Sequence, residues 1–179
     1  MAQRFPARDL VPMLENLVKA APSGSEAAYF AKLQLAELTV MKAPWRAARL
    51  ARDVLAGGER DRAWAVLALA HTLLGHYRIA ARSYRRALAL APECAVYLHN
   101  LGHLLDIGLN RPRDAVGYLA RAHRGLPDEP EIASSYAHAL ARLGQLTEAR
   151  KLLSRAVRDP ERADRLLAEW REETPILSG

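Results

Sequence analysis

The sequence has little cysteine, few aromatic residues and no long apolar run, and each of these features helps to decide the class of a protein. It has one cysteine, Cys94, so a disulfide within the chain is impossible and no cysteine cluster exists for a structural metal. Aromatic residues make up only 6% of the chain. The most apolar window, 63–75, contains His71 and is shorter than the roughly 20 residues that span a bilayer. We therefore predict a cytoplasmic protein without membrane insertion.

Lysine is also scarce, with 4 residues against 22 arginines, and the net charge is +6. A basic surface can attract nucleic acid, anionic lipid or an acidic protein. Arginines spread along the whole chain, as they are here, more often form a solvated face. The charge therefore does not favour nucleic acid as the partner.

Alanine and leucine are abundant instead, and half of the residues are hydrophobic. Both residues are strong helix formers with little penalty in a helix interior. The composition therefore favours an all-α fold.

The second half of a helical repeat occurs three times, at intervals of 35 and 34 residues. Each copy has two alanines seven residues apart, a large residue between them, and a proline after them. The members are Ala80, Tyr84, Ala87 and Pro92, then Ala115, Leu119, Ala122 and Pro127, then Ala149, Leu153, Ala156 and Pro160, which arrives one residue early.

The first half of the repeat has its own signature, in which a small residue allows two antiparallel helices to approach closely. A glycine that follows can adopt the left-handed conformation that ends a helix, and the proline marks the break before the next repeat. The members are Trp64, Leu67, Ala68 and Gly75, then Leu98, Leu101, Gly102 and Gly108, displaced by one, then Ala133, Tyr136, Ala137 and Gly144.

This pattern resembles the tetratricopeptide repeat, whose period is about 34 residues. The resemblance covers 61–160, although Leu98 and Ala133 replace the early tryptophan and Ala68 and Ala137 replace the early glycine. It implies an all-α fold: a right-handed superhelical array of antiparallel helical hairpins, with about ten helices and no strands.

We predict a single domain, 1–179, with a capping helix at each end of the array. Ser23–Glu26 has the pattern of a capping box that opens a helix, and Gly57-Gly58 would end the second helix of a degenerate first repeat. The predicted parts are an N-terminal helix at 9–20, repeats at 29–60, 61–94, 95–129 and 130–160, and a C-terminal helix at 161–173.

The first helices of such repeats form a concave face, where the resemblance implies that a partner peptide or helix binds. Stepping by the repeat period gives a predicted groove whose N-terminal half is apolar and whose C-terminal half is polar. Its residues are Phe30, Leu33, Gln34, Glu37, Arg62, Ala65, Val66, Leu69, His99, Asn100, His103, Ser134, Ser135, His138 and Arg142. The alternative is that helix 9–20 covers the apolar half.

Some tetratricopeptide proteins clamp a partner's C-terminal carboxylate with basic and asparagine side chains. Asn100 stands at an asparagine place of that clamp, but Glu131, Ser135, Ala65 and Leu69 occupy its basic places. The resemblance therefore does not extend to a receptor of this kind.

The histidines suggest a zinc site, because His99 and His103 lie one helical turn apart and His138 is the repeat equivalent of His103. No acidic or cysteine residue falls in the same rows to complete the set, so we favour polar lining of the groove or a pH-sensitive contact with a partner. We predict no metal, no cofactor and no enzymatic activity, since no catalytic spacing or phosphate-binding glycine loop is present.

These observations predict a protein-interaction module, an adaptor or an assembly or secretion-type chaperone, whose partner is another protein or peptide. A stand-alone array this short resembles small partner-holding chaperones and adaptors, such as those of bacterial secretion or motility systems. The alternative is binding of nucleic acid or an acidic partner by a convex arginine stripe on the second helices, made of Arg46, Arg49, Arg52, Arg78, Arg82, Arg85, Arg86, Arg121, Arg124, Arg150, Arg155 and Arg158.

Overall fold

The computed structural model describes the backbone of residues 7–173 and the side chains of 10–172. Every regular element in this part of the chain is helical, as predicted. The chain divides into two compact units, one up to Ala91 and one from Pro92. The helices are α1 (Ala7–Ala20), α2 (Glu26–Thr39), α3 (Pro44–Leu55), α4 (Asp61–Leu73) and α5 (Tyr77–Leu90) in unit 1, and α6 (Ala95–His103), α7 (Pro112–Gly125), α8 (Pro130–Arg142), α9 (Leu146–Val157) and α10 (Pro160–Glu173) in unit 2.

Unit 1 contains two helical hairpins, α2 with α3 and α4 with α5. Pro44 starts α3, where its missing N–H costs no hydrogen bond. Gly75 has φ +75° just after α4, a left-handed conformation that turns the chain into α5. Two of the small residues of the repeat, Ala68 and Ala80, are buried.

The N-terminal helix α1 packs on α2 and contributes Val11 and Leu14 to the edge of the unit 1 core. Arg46 of α3 also forms an ion pair with Glu15 of α1. With α1 in this position, Phe30 is still 58% exposed. Helix α1 therefore does not cover that part of the predicted groove.

The capping box predicted at Ser23–Glu26 is wrong, and Ser25 is the residue that caps α2. Gly24 has φ +80° and turns the chain directly before Ser25. The Ala28 N–H then donates to Ser25 Oγ at 3.2 Å. Because the third helical residue is Ala28, no glutamate returns the bond as a capping box requires.

Unit 2 contains the hairpins α6 with α7 and α8 with α9, and α10 packs on α9 and α8. Tyr84 in unit 1 and Leu119 and Leu153 in unit 2, the large residues between the repeat alanines, are each at most 1% exposed. Gly102 of α6 lies directly against Leu119 of α7, where any side chain on Gly102 would clash. These observations explain the small residue at this place of the repeat.

A π-helical segment, Leu104–Gly108, continues α6. It absorbs the one extra residue that makes the repeat spacing 35 instead of 34. The turn glycine predicted here is wrong, because Asn110, with φ 54°, takes the left-handed conformation in place of Gly108. An asparagine is one of the few residues that tolerate this conformation.

Candidate partner-binding faces

The first helices of unit 1, α2 and α4, share a face that carries exposed apolar side chains. Phe30 is 58% exposed, and Met41, in the turn two residues after α2, is 70% exposed. Leu73 at the end of α4 is also exposed. When a partner covers exposed apolar side chains of this size, the free energy of the complex is lowered, so such side chains mark a candidate binding surface.

Three predicted groove residues meet across these two helices. Arg62 of α4 donates to both carboxylate oxygens of Glu37 on α2, at 2.9 and 2.7 Å. Gln34 Nε2 donates to Glu37 Oε2 at 3.3 Å. The repeat spacing had placed Glu37 and Arg62 on neighbouring first helices, and their contact places them on one face.

Four other predicted residues of unit 1 are less accessible. Leu33 and Val66 are buried in the core of the unit, and Leu69 packs against that core while remaining half-buried. Ala65 is also half-buried. A partner on this face would therefore contact mainly Phe30, the polar trio of Gln34, Glu37 and Arg62, and the ends of the two helices.

In unit 2, Ser135 of α8 links the two histidines of α6. Its Oγ lies 3.0 Å from His99 Nε2 and 3.4 Å from His103 Nδ1. His103 is exposed, while His99 is buried. Asn100 and Ser134 are half-buried.

The pKa of His99 is lowered from its ordinary value, first because burial disfavours the imidazolium. The neighbouring His103 lowers this pKa further, while Glu131 acts in the opposite direction. Burial and the histidine neighbour thus favour a neutral His99 in the folded protein.

His138 faces a different set of groups from those around His99 and His103. Its Nδ1 donates to Asp106 Oδ2 at 2.6 Å, and its ring packs edge-on against Trp170 of α10, 5.0 Å between centroids. Among the described residues, no group of three or more histidine, cysteine, aspartate or glutamate side chains could hold a metal ion.

Arg142 is the most deeply buried polar residue of the predicted groove, at 5% exposure. Its Nη1 donates to the Asp106 carboxylate and to the Asp106 carbonyl, both at 2.8 Å, and its Nη2 donates to Asn110 Oδ1. Arg142 therefore joins α8 to the π segment and the turn after it, with its guanidinium turned inward.

Sequence reasoning missed Asp106 as the centre of this network. The signal was present: the extra residue of the second repeat falls just where Asp106, Gly108 and Asn110 lie. A one-residue insertion in a helix is a known origin of π segments, but nothing in the spacing showed that an aspartate would turn inward.

Several arginines of the predicted convex stripe are already paired within their own unit. Arg46 pairs with Glu15, Arg121 with Glu93, and Arg150 with Asp164. Arg49 lies over the ring of Trp45, 5.9 Å from its centroid. The stripe is therefore less available to an anionic partner than the sequence suggested, except around α5.

Helices long and apolar enough to cross a membrane do not occur among the described residues.

Comparison with solved structures finds similar folds over most of the chain. The crystal structure of MamA has a TM-score of 0.72 at 18% identity, covering 87% of this chain and 89% of that one. A double mutant of MamA RS-1 has a TM-score of 0.74 at 15% identity, covering 90% and 89%. MamA 41-end from Desulfovibrio magneticus RS-1 has a TM-score of 0.67 at 16% identity, covering 90% and 98%.

No curated protein matches the sequence significantly. Two family models, both described as tetratricopeptide repeat, match residues 61–94 and 107–169, which together exceed half of the chain. These ranges coincide with the hairpins α4–α5 and with the π segment to α10. The chain belongs to the tetratricopeptide repeat family, whose members are in general protein-interaction scaffolds and not enzymes.

Proposed function

We propose that the protein is an adaptor or assembly chaperone that binds a segment of a partner protein on the faces formed by its first helices. The observation that carries this proposal is the exposure of Phe30 in α2, of Met41 just after α2 and of Leu73 at the end of α4. Solvent-exposed side chains of this kind are the usual anchors for an apolar segment of a partner.

The polar groups around these anchors would fix the orientation of the bound partner segment. Glu37 and Arg62 hold each other in a two-pronged ion pair, so both present fixed hydrogen-bonding edges. In unit 2, the half-buried side chains of Asn100 and Ser134 would add hydrogen bonds to the partner. A peptide or helix with apolar anchors and polar backbone or side-chain groups fits this chemistry.

The test is site-specific photo-crosslinking in cell lysate. A photoreactive phenylalanine analogue replaces Phe30 in one variant and Trp45 in the other, which is on the second helix α3. The two positions make a matched pair because both are aromatic and nearly equally exposed, at 58% and 61%.

We expect Phe30, but not Trp45, to yield one predominant protein adduct that persists in high salt and after nuclease treatment. The adduct should weaken when Met41 is also changed to glutamate, since a charge on the anchor face opposes burial. The proposal fails if Phe30 gives no adduct, or if both positions give the same ones.

A further inference from the structure

A cavity of about 640 Å³ opens between α3 and α5 of unit 1, with α4 as its floor. Its walls are mainly apolar, and its volume is within the range of ligand-binding sites. The apolar lining includes Trp64, Leu67 and Ile79. Four exposed arginines surround its mouth: Arg52, Arg82, Arg85 and Arg86.

The cavity and the proposed partner-binding face lie on different sides of α4. Successive residues of a helix are rotated by roughly 100°, which puts Trp64, Leu67 and His71 within about 60° of one another. Val66 and Leu69, which the sequence assigned to the groove, lie roughly opposite. The cavity is therefore a separate feature of unit 1.

The four arginines at the mouth lack a carboxylate partner among the described residues. Arg46 on the same helix as Arg52, by contrast, is paired with Glu15. His71 lies in the cavity wall, and its pKa is lowered mainly by burial, then by His76, and then by the positive charge of Arg52. An anionic ligand would relieve this concentration of like charge.

We propose that this cavity binds an acidic amphipathic helix of a partner protein. One or two apolar side chains of that helix fill the cavity, and flanking carboxylates pair with the arginines. Arg82 and Arg86 are four residues apart on one side of α5, so carboxylates at the same spacing on a second helix can face both.

Other anions fit the observations less well. A single-chain lipid has an apolar tail but brings one head group to four arginines. A nucleic-acid backbone brings many charges but presents phosphates and sugars, which cannot fill apolar space. The cavity's combination of an apolar floor and several cations needs a ligand with both features.

The test selects helical 14-residue peptides from a display library on the intact protein. Selected peptides are then measured against two charge-reversed proteins, Arg82→Glu/Arg86→Glu at the cavity and Arg49→Glu/Arg78→Glu outside it. The second is a control, because it changes the net charge by the same amount on the second helices α3 and α5 of unit 1, and neither residue lines the cavity.

We expect peptides rich in Glu or Asp beside Leu, Phe or Trp, with binding weakened by about tenfold or more in Arg82→Glu/Arg86→Glu. The control should change affinity by about twofold or less, because neither of its residues lines the cavity and exposed charges outside it are screened by salt. Ile79→Glu should also abolish binding, and since Ile79 is 47% exposed the variant should fold normally by circular dichroism.

Three results would overturn the proposal: selected peptides without acidic residues, equal binding to the two charge-reversed proteins, or competition by a single-stranded oligonucleotide as strong as by the free peptide. The outcome is independent of the first-helix faces, because Phe30→Glu leaves the cavity intact and should not change peptide affinity.

Discussion

Asp106 shows how much a single side chain contributes to unit 2. It is 2% exposed and lies in the π segment of the second repeat. Its carboxylate accepts one hydrogen bond from Arg142 and one from His138, and its backbone carbonyl accepts another from Arg142. A buried charge is tolerated only when partners replace its lost hydration. The ion pair between Asp106 and Arg142 replaces the hydration that each charge loses on burial.

Replacing Asp106 with alanine should lower the free energy of unfolding by about 3 kcal/mol, because Arg142 stays charged and buried without its carboxylate. Urea denaturation followed by circular dichroism measures the change. Glu161→Ala is the control, since it removes an exposed pair with Arg165 at 3.9 Å and should matter little. Equal effects of the two substitutions would show that the buried pair contributes nothing.

The lowered pKa of His99 gives a pH dependence with a definite sign. Above its unfolded value of 6.5 the residue is neutral in both states. As the pH falls below that value the unfolded chain takes up the proton first, so stability decreases toward the lower folded pKa, by at most about 1.4 kcal/mol per pH unit.

His99→Gln should therefore make the melting temperature less sensitive to acidification between about pH 7 and pH 5. His71, whose pKa is lowered in the same direction, retains its own share of the effect. Thermal unfolding of wild type and His99→Gln across this pH range measures the difference. Parallel curves for wild type and His99→Gln would contradict the assignment to His99.

At the scale of helices, the contact of Gly102 with Leu119 sets how closely α6 and α7 approach. A Cβ on Gly102 would lie 2.6 Å from Leu119 Cγ and 3.3 Å from the Leu119 backbone nitrogen. The side chain could move, but the backbone of α7 would have to shift with it. Only glycine keeps this pair of helices at its present distance.

Gly102→Ala should destabilise the protein by about 1–3 kcal/mol, the usual cost of overpacking. Gly117→Ala makes the same change at a site with free space. Gly117 lies inside α7, and apart from its chain neighbours and its own helix backbone no atom lies within 4 Å of the added Cβ. That substitution should stabilise by about 0.5–1 kcal/mol through helix propensity. Chemical denaturation of both variants checks the pair, and the same sign for both would refute the steric explanation.

The same comparison shows what repeat spacing can and cannot predict about an element. The small residue at Gly102 and the large one at Leu119 were predicted from their repeat equivalents, because every copy of the hairpin meets the same packing problem. The π segment and the left-handed Asn110 belong to one copy only. A feature without equivalents has no period from which to infer it.

At the scale of the whole molecule, the arginines behind the net charge of +6 differ in whether their charge is paired within the protein. Some arginines are used in ion pairs or stacked on an aromatic ring, whereas the four around the cavity of unit 1 are not paired with a carboxylate in the described chain. Net charge alone therefore said little about where an anionic partner could bind.

The sequence by itself determined the all-α fold and the family, because helix propensity and the repeat period are local properties that recur along the chain. Only the tertiary structure decided the inward turn of Asp106 and Arg142, the exposure of Phe30 and the cavity between α3 and α5. These depend on which neighbouring side chains fill or leave space in three dimensions, and spacing along one chain does not encode that.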